Sequence, residues 1–283
     1  MDLPTQYPPV LLAIARPYMI SIMASTPLYG IAIAQTTYYY RTFPKDRKFV
    51  KIMVGILMAL DTAHMACIIK SSGDWLQVLV ERAAPLLPMS FEISLYLTYT
   101  VICLVQCSYA IRLWILSTKN WAVTAVVVSF ALGQLGGGMG QAIEIMRGQN
   151  ANVAHLSKTF RIAGITELSC SFVCDTVIAS AMVYFLKAPG RTNHITAQVV
   201  NKLVIYSINV GAVTSVVTAV NLVLWLVMPQ NFNFLIFHLI LSKLYLNSLL
   251  VMLNSRAKLR QQLNRTDHIS LNSRRTAETD ANA

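Results

Sequence analysis

Apolar residues recur along the chain in seven long blocks, and polar residues gather between them. A helix rises 1.5 Å per residue, so crossing a hydrocarbon layer of roughly 30 Å takes about 20 mostly apolar residues. On that measure the pattern predicts spans over Tyr18 to Tyr40, Phe49 to Lys70, Ser90 to Ile115, Trp121 to Met146, Arg161 to Lys187, Leu203 to Met228 and Phe232 to Asn254. The fold class that follows is an all-α membrane protein, a bundle of seven transmembrane helices. The connecting segments are short except for Ser71 to Met89 and Arg147 to Phe160.

Lys and Arg alternate between rich and poor segments, and cations near span ends stay on the cytoplasmic side. One set of segments holds Arg41, Lys45, Arg47, Lys48 and Lys51, then Arg112 and Lys119, then Lys187, Arg191 and Lys202, and finally the six cations from Arg256 to Arg275. That set numbers sixteen, whereas the opposite face holds six: Arg16, Lys70, Arg82, Arg147, Lys158 and Arg161. The asymmetry predicts an N-terminus outside and a cytoplasmic C-terminus. It divides the chain into an external segment over 1–17, a seven-helix domain over 18–254 and a cytoplasmic basic tail over 255–283. The tail is expected to be helical for a turn or two and then disordered, as its polar composition suggests. Met1 to Pro17 carries no basic n-region, so the first span reads as an uncleaved anchor.

Composition agrees with this reading. Of 283 residues, 55% are hydrophobic and only 12% charged, outside the range of a soluble domain. The net charge of +11 sits in short loops and a tail beside the spans, so it points to anionic inner-leaflet lipid and not to nucleic acid. The lipid bilayer is the first partner, and the expected location is the plasma membrane.

All five cysteines fall inside spans, which argues against an external disulfide staple. Cys103/Cys107 and Cys170/Cys174 are i, i+4 pairs on single helix faces; a soft-metal site is conceivable on that spacing, but small buried hydrophobes are the simpler reading. No metal ligand set and no cofactor is assigned. In the fourth span, Gly136 and Gly140 have the small-xxx-small spacing that permits close helix approach. No strand precedes this glycine run, so it is not a dinucleotide fingerprint. In the first long loop, Trp75-Leu76-Gln77-Val78-Leu79 reads as an interfacial turn of helix.

Ionisable residues inside spans are costly and usually face the bundle interior. Asp61 lies about 18 Å from the cytoplasmic start of its span, Asp175 about 18 Å from the cytoplasmic end of its own, and Lys243 about 16 Å from the end of the last. Three opposite charges thus share a midplane layer, with His64 at i+3 from Asp61 on the same face. In sequential ring order Asp61 to Lys243 is the favoured pair, which leaves Asp175 to a proton, a cation or a ligand. Asn247, one turn beyond Lys243, joins this candidate ligand or ion pathway. A second polar layer, Glu92, Glu144, Glu167 and His238, is expected near the outer face, where it could attract cations or relay protons.

Four segments carry a resemblance. They are Leu28-Tyr29-Gly30 with Gln35 and Tyr38-Tyr39-Tyr40; Phe43-Pro44-Lys45-Asp46 leading to Asp61-Thr62-Ala63-His64; Tyr206-Ser207-Ile208-Asn209 with Gly211 and Thr214-Ser215; and Leu241-Ser242-Lys243-Leu244-Tyr245 with Asn247-Ser248-Leu249-Leu250 and Leu253-Asn254. Together the chain resembles an uncharacterised family of fungal seven-helix membrane proteins, common in mushroom-forming fungi and catalogued as a domain of unknown function. The resemblance covers roughly Pro27 to Arg260. It implies the seven-span fold and a membrane location, and it carries over no activity.

Three function classes remain. A receptor-like sensor fits seven helices, an external N-terminus and a basic tail bearing Ser and Thr, although rhodopsin-like receptor motifs are missing: Ala110-Ile111 precede Arg112, and Asn247-Ser248-Leu249 has no proline. A small-solute or proton-coupled transporter would use Asp61, Asp175 and Lys243. A membrane enzyme or pigment protein is least supported. Leu239 stands four positions before Lys243 where a microbial rhodopsin carries aspartate, and a zinc hydrolase needs about three protein ligands. The reading is a receptor-like, non-enzymatic binder of a small extracellular or lipid ligand, with a possible cytoplasmic signalling partner.

Overall fold

The computed structural model describes residues 9–81, 88–147, 158–187, 194–228 and 232–281. Among these residues it forms seven helices: α1 Pro9–Thr42, α2 Lys48–Glu81, α3 Met89–Leu116, α4 Trp121–Arg147, α5 Lys158–Lys187, α6 His194–Val227 and α7 Phe234–Ala281. Six contain stretches long and apolar enough to cross a membrane; in α6 the apolar stretch Gly211–Val227 is shorter. The molecule has the build of an integral membrane protein.

Helix limits differ from the sequence expectation in four places: α1 begins at Pro9 and α6 at His194, each nine residues before the expected start, and α2 and α7 run on beyond their expected ends. α2 continues through Trp75-Leu76-Gln77-Val78-Leu79 to Glu81, so this stretch is not a separate interfacial turn. Gly73 alone is too weak a breaker to stop a helix, and no proline follows until Pro85. Trp75 is consequently buried, clustered with Tyr18, Ile68 and Phe91. α7 likewise runs on as helix to Ala281, well past the turn or two expected after Asn254.

Consecutive helices are neighbours around the bundle, and α7 closes against α1. α3 lies inside the ring, touching α5 and α7 as well as α2 and α4. Two apolar clusters divide the core along its length. One, around Ile14, Tyr18, Trp75, Phe91, Trp225 and Phe234, fills the end at which α1, α3, α5 and α7 begin. The other, around Tyr39, Val54, Tyr109, Leu113, Leu249 and Leu253, fills the opposite end.

Without a hydrophobic drive between helices in lipid, association depends on close packing and interhelical hydrogen bonds. α4 and α5 use close packing. A Cβ on Gly137 would stand 2.7 Å from Glu167 N and 2.9 Å from Ala163 O, and one on Gly133 would stand 3.0 Å from Cys170 Sγ. The small-xxx-small face is therefore Gly133/Gly137; Gly136 meets nothing within 4 Å and Gly140 only Ala163 Cβ at 3.8 Å. Gly138 turns the other way, seating the Tyr99 ring of α3.

α7 and α1 use hydrogen bonds. Asn247 Nδ2 donates to Leu28 O at 2.9 Å, and Asn254 Nδ2 to Gln35 O at 2.9 Å. Both pairs are separated by seven residues on their own helix, two turns, which fixes the register of one helix against the other. The α3–α4 turn is equally local: Thr118 and Lys119 have φ of 55° and 68°, Lys119 N donates to Trp114 O, and Asn120 Oδ1 caps α4 by accepting from Ala122 N.

Candidate functional site

Lys243 sits midway along the apolar part of α7, with no exposed side-chain surface, and must find an anion there. Its Nζ is 2.5 Å from Asp61 Oδ1 on α2 and donates also to Asp61 O at 3.1 Å. The Tyr29 ring of α1 lies 5.6 Å from the ammonium, adding a cation–π contact on a third side. The pair is not saturated: Asp61 Oδ2 has no hydrogen-bond partner, and neither has either ring nitrogen of His64. His64, one turn along α2 from Asp61, lies within electrostatic reach of both Lys243 and His238. Asn247 is tied to this group through the Lys243 carbonyl, to which its Nδ2 donates at 2.8 Å.

Asp175 is held apart from it. Tyr245 is two residues after Lys243, hence about 200° round the helix, and donates its hydroxyl to Asp175 Oδ2 at 2.5 Å. The same hydroxyl is 3.1 Å from Ser171 Oγ. One face of α7 thus serves Asp61 and the other Asp175, so the three midplane charges form two separate sites.

The residues of the second layer have different surroundings. Glu92 is buried in the first turn of α3. Glu144 is paired with the exposed Arg147 at 3.5 Å, one turn away on α4. Glu167 lies nine residues into α5, about 13 Å along it, and is fully buried beside Gln134. Equal height in a membrane says nothing about which way a side chain points, and of this layer Glu144 has an arginine and Glu167 a glutamine beside it.

His238 behaves otherwise. It lines a small, half-open cavity at the bundle end where α1, α3, α5 and α7 begin. Phe91, Leu95, Phe160, Phe234 and Leu235 supply apolar walls, and Tyr99, Gln141 and His238 the polar atoms. Tyr99 donates to Gln141 Oε1 at 2.5 Å and packs edge-on against the His238 ring at 5.4 Å. The imidazole Nδ1 is 3.5 Å from Asn221 Nδ2, while Nε2 has no partner. Tyr99 and Gln141 were not marked by the sequence, since a tyrosine or glutamine in a span is common.

At the opposite end a second set of residues was also missed. Arg256 of α7 reaches Asp46 in the α1–α2 turn at 2.7 Å, and Tyr39 donates to the same Asp46 oxygen at 2.9 Å. Arg256 also lies over the Phe43 ring at 4.6 Å. Burial raises the Asp46 carboxyl, but hydrogen bonds from Arg256 and Tyr39 and the guanidinium charge outweigh it, holding the group below its ordinary range. A lone acid in so basic a turn is the signal that could have betrayed the clasp.

Among the described residues no group of three His, Cys, Asp or Glu side chains is placed to hold a metal ion. What the arrangement offers instead is a largely apolar cavity lined by His238 and, at midspan, a buried, incompletely bonded ion pair with His64 one turn from Asp61.

Residues 171–258 match the model of a family of unknown function, DUF6534. The match begins in α5 and ends in α7, so it includes Asp175, His238, Lys243 and Asn247 but neither Asp61 nor His64. No curated protein and no solved structure matches the chain.

Proposed function

We propose that the chain is a seven-span, receptor-like sensor of the plasma membrane, with its N-terminus outside and its C-terminus in the cytoplasm. Residues 18–254 form the membrane body and 255–283 a cytoplasmic segment attracted to anionic lipid. The fungal seven-helix resemblance fits this reading, as does the cation asymmetry of the loops. One observation carries it: α7 alone contributes His238 to the cavity, Lys243 to the buried pair and Arg256 to the clasp with Asp46. A small ligand seated against the start of α7 therefore acts on the element that, about five turns further on, bonds the α1–α2 turn through Arg256. A ligand moves such an equilibrium only by binding one arrangement better than the other, and the unsaturated Asp61–Lys243–His64 group is where two arrangements can differ at low cost.

The second reading is a small-solute or proton-coupled carrier. It is favoured by the unpartnered Asp61 Oδ2 and His64 nitrogens at midspan, which could pass a proton or a polar solute. Cells with and without the gene, exposed to a metabolite library and read for cytoplasmic signalling and labelled uptake in parallel, separate the two. Signalling without uptake supports the sensor. Uptake without signalling overturns it in favour of the carrier.

A further inference from the structure

The cavity has a chemistry of its own, which deepens the sensor reading and rests on it only for the side from which the ligand arrives. Among the described residues no charged side chain lines it, and Phe91, Leu95, Phe160 and Phe234 give it aromatic and aliphatic walls. A charged ligand would lose its hydration there without a counter-ion, which is prohibitive in an apolar site. Among the described lining residues His238 carries an unsatisfied polar atom, Nε2, on a side chain only 3% exposed. A buried imidazole nitrogen without a partner is a costly feature unless something fills it.

The neighbouring geometry holds that imidazole in place. Asn221 faces Nδ1, and the Tyr99 ring bears on the edge of the imidazole. Tyr99 is itself fixed by its bond to Gln141 and by Gly138, where a Cβ would come within 2.4 Å of the ring. Trp225 backs Phe234 at 4.4 Å and is braced by Phe160 at 5.3 Å, so the walls are packed against a second aromatic row. This is the build of a small-molecule site, with mostly apolar lining and few fixed polar groups.

We infer that the cavity binds a small, uncharged, mainly hydrocarbon molecule carrying one hydroxyl or carbonyl group, which hydrogen-bonds to His238 Nε2. Such a molecule can reach the cavity from water or from the lipid leaflet beside it, and chain length separates these sources. Hexanol is supplied largely from water and hexadecanol from the bilayer.

The test uses the full chain in lipid nanodiscs with ¹⁵N-labelled histidine, so that His238 Nε2 reports directly by its NMR shift. Matched probes are hexanol, hexylamine, hexanoate and hexane, followed by hexadecanol. The alcohol is expected to bind saturably and move the His238 signal, with the amine and the acid at least tenfold weaker. His238→Phe should weaken the alcohol roughly three- to tenfold, the loss of one hydrogen bond, while leaving hexane unchanged. Leu235→Trp, which fills the cavity from another wall, should abolish binding of all probes in a protein that still folds. Equal binding of alcohol and amine, or alcohol binding, followed in the variants on the probe's own NMR signals, that neither variant changes, overturns the inference. Because the readout is binding, a cavity that takes alcohols in a protein that transports and does not signal would sink the sensor reading and leave this one standing.

Discussion

Lys243 and Asp61, 182 residues apart in sequence, meet at 2.5 Å between the apolar parts of α7 and α2, where neither side chain has any exposed surface. The backbones of these helices barely touch; α1 lies beside both, and the long lysine side chain bridges the interval beneath the Tyr29 ring. The contact therefore holds the bundle at a point that backbone packing leaves weak. It also holds α7 between two of its other polar attachments, His238 near its start and Arg256 about five turns further on.

Removing one member of a buried pair strands the other, at a cost of about 3 to 5 kcal/mol. Asp61→Asn and Lys243→Met should each lower the thermal stability of the detergent-solubilised protein, and the double variant should recover much of the loss. Asp175→Asn/Lys243→Met should show no such recovery, since Asp175 is bonded to Tyr245 on the other face of α7. Additive losses for Asp61 and Lys243 would show that the contact does not operate as a pair.

The α4–α5 seam makes an equally sharp contrast. Gly137→Ala places a methyl against the backbone of Glu167 and Ala163, which cannot rotate away, so overpacking of about 1 to 3 kcal/mol is expected. Gly136→Ala meets open space and should be neutral, or stabilising by about 0.5 to 1 kcal/mol through its helix propensity. Thermal unfolding of the two variants side by side decides it; equal effects would mean that α4 packs on α5 through a different face.

That contrast also marks how far the sequence could be read. Length and apolar content located all seven helices, and the 1.5 Å rise put Asp61 and Lys243 at one height, because both quantities run along the helix axis. What the sequence did not supply was direction around the axis. Gly133/Gly137 and Gly136/Gly140 satisfy the same spacing rule, and only the position of α5 selects the first. Glu92, Glu144 and Glu167 shared an expected height yet face different surroundings, and only His238 of that layer lines the cavity. Tyr245, two residues from Lys243, was missed because its importance depends on Asp175 being opposite. The clasp of Asp46 to Arg256 joins residues 210 apart and needs the closed ring before it exists.

The clasp should be visible as a pH dependence. Its folded-state carboxyl lies below the ordinary value of 3.8, so the stability it contributes is present above the unfolded-state value and is lost as pH falls through the folded one. At pH 7, Asp46→Asn or Arg256→Gln should each cost about 1 kcal/mol, as expected for a charge-assisted bond that water partly screens. Below pH 4 the gap between wild type and Asp46→Asn should shrink. Melting curves for both proteins across pH 3 to 7 measure the difference directly, and a gap constant over that range would mean that Asp46 is not held as an anion by Arg256.

Orientation decides which side of the membrane sees the cavity, and it can be tested with glycosylation. The native sequon Asn264-Arg265-Thr266 lies on the side proposed as cytoplasmic and should stay unmodified in cells that glycosylate secretory proteins. Ala154→Thr completes a sequon at Asn152, within the segment 148–157 that joins α4 to α5, and that site should acquire glycan. A tag after Ala283 should correspondingly resist protease added outside intact cells. Glycan on Asn264 together with a bare Asn152 would reverse the bundle, because the two sites lie at opposite ends of it. The cavity over His238 would then open to the cytoplasm and the Asp46–Arg256 clasp to the exterior. The same three contacts on α7 would have to be read as responding to an internal ligand, so the glycosylation result must come before any search for the molecule that the cavity holds.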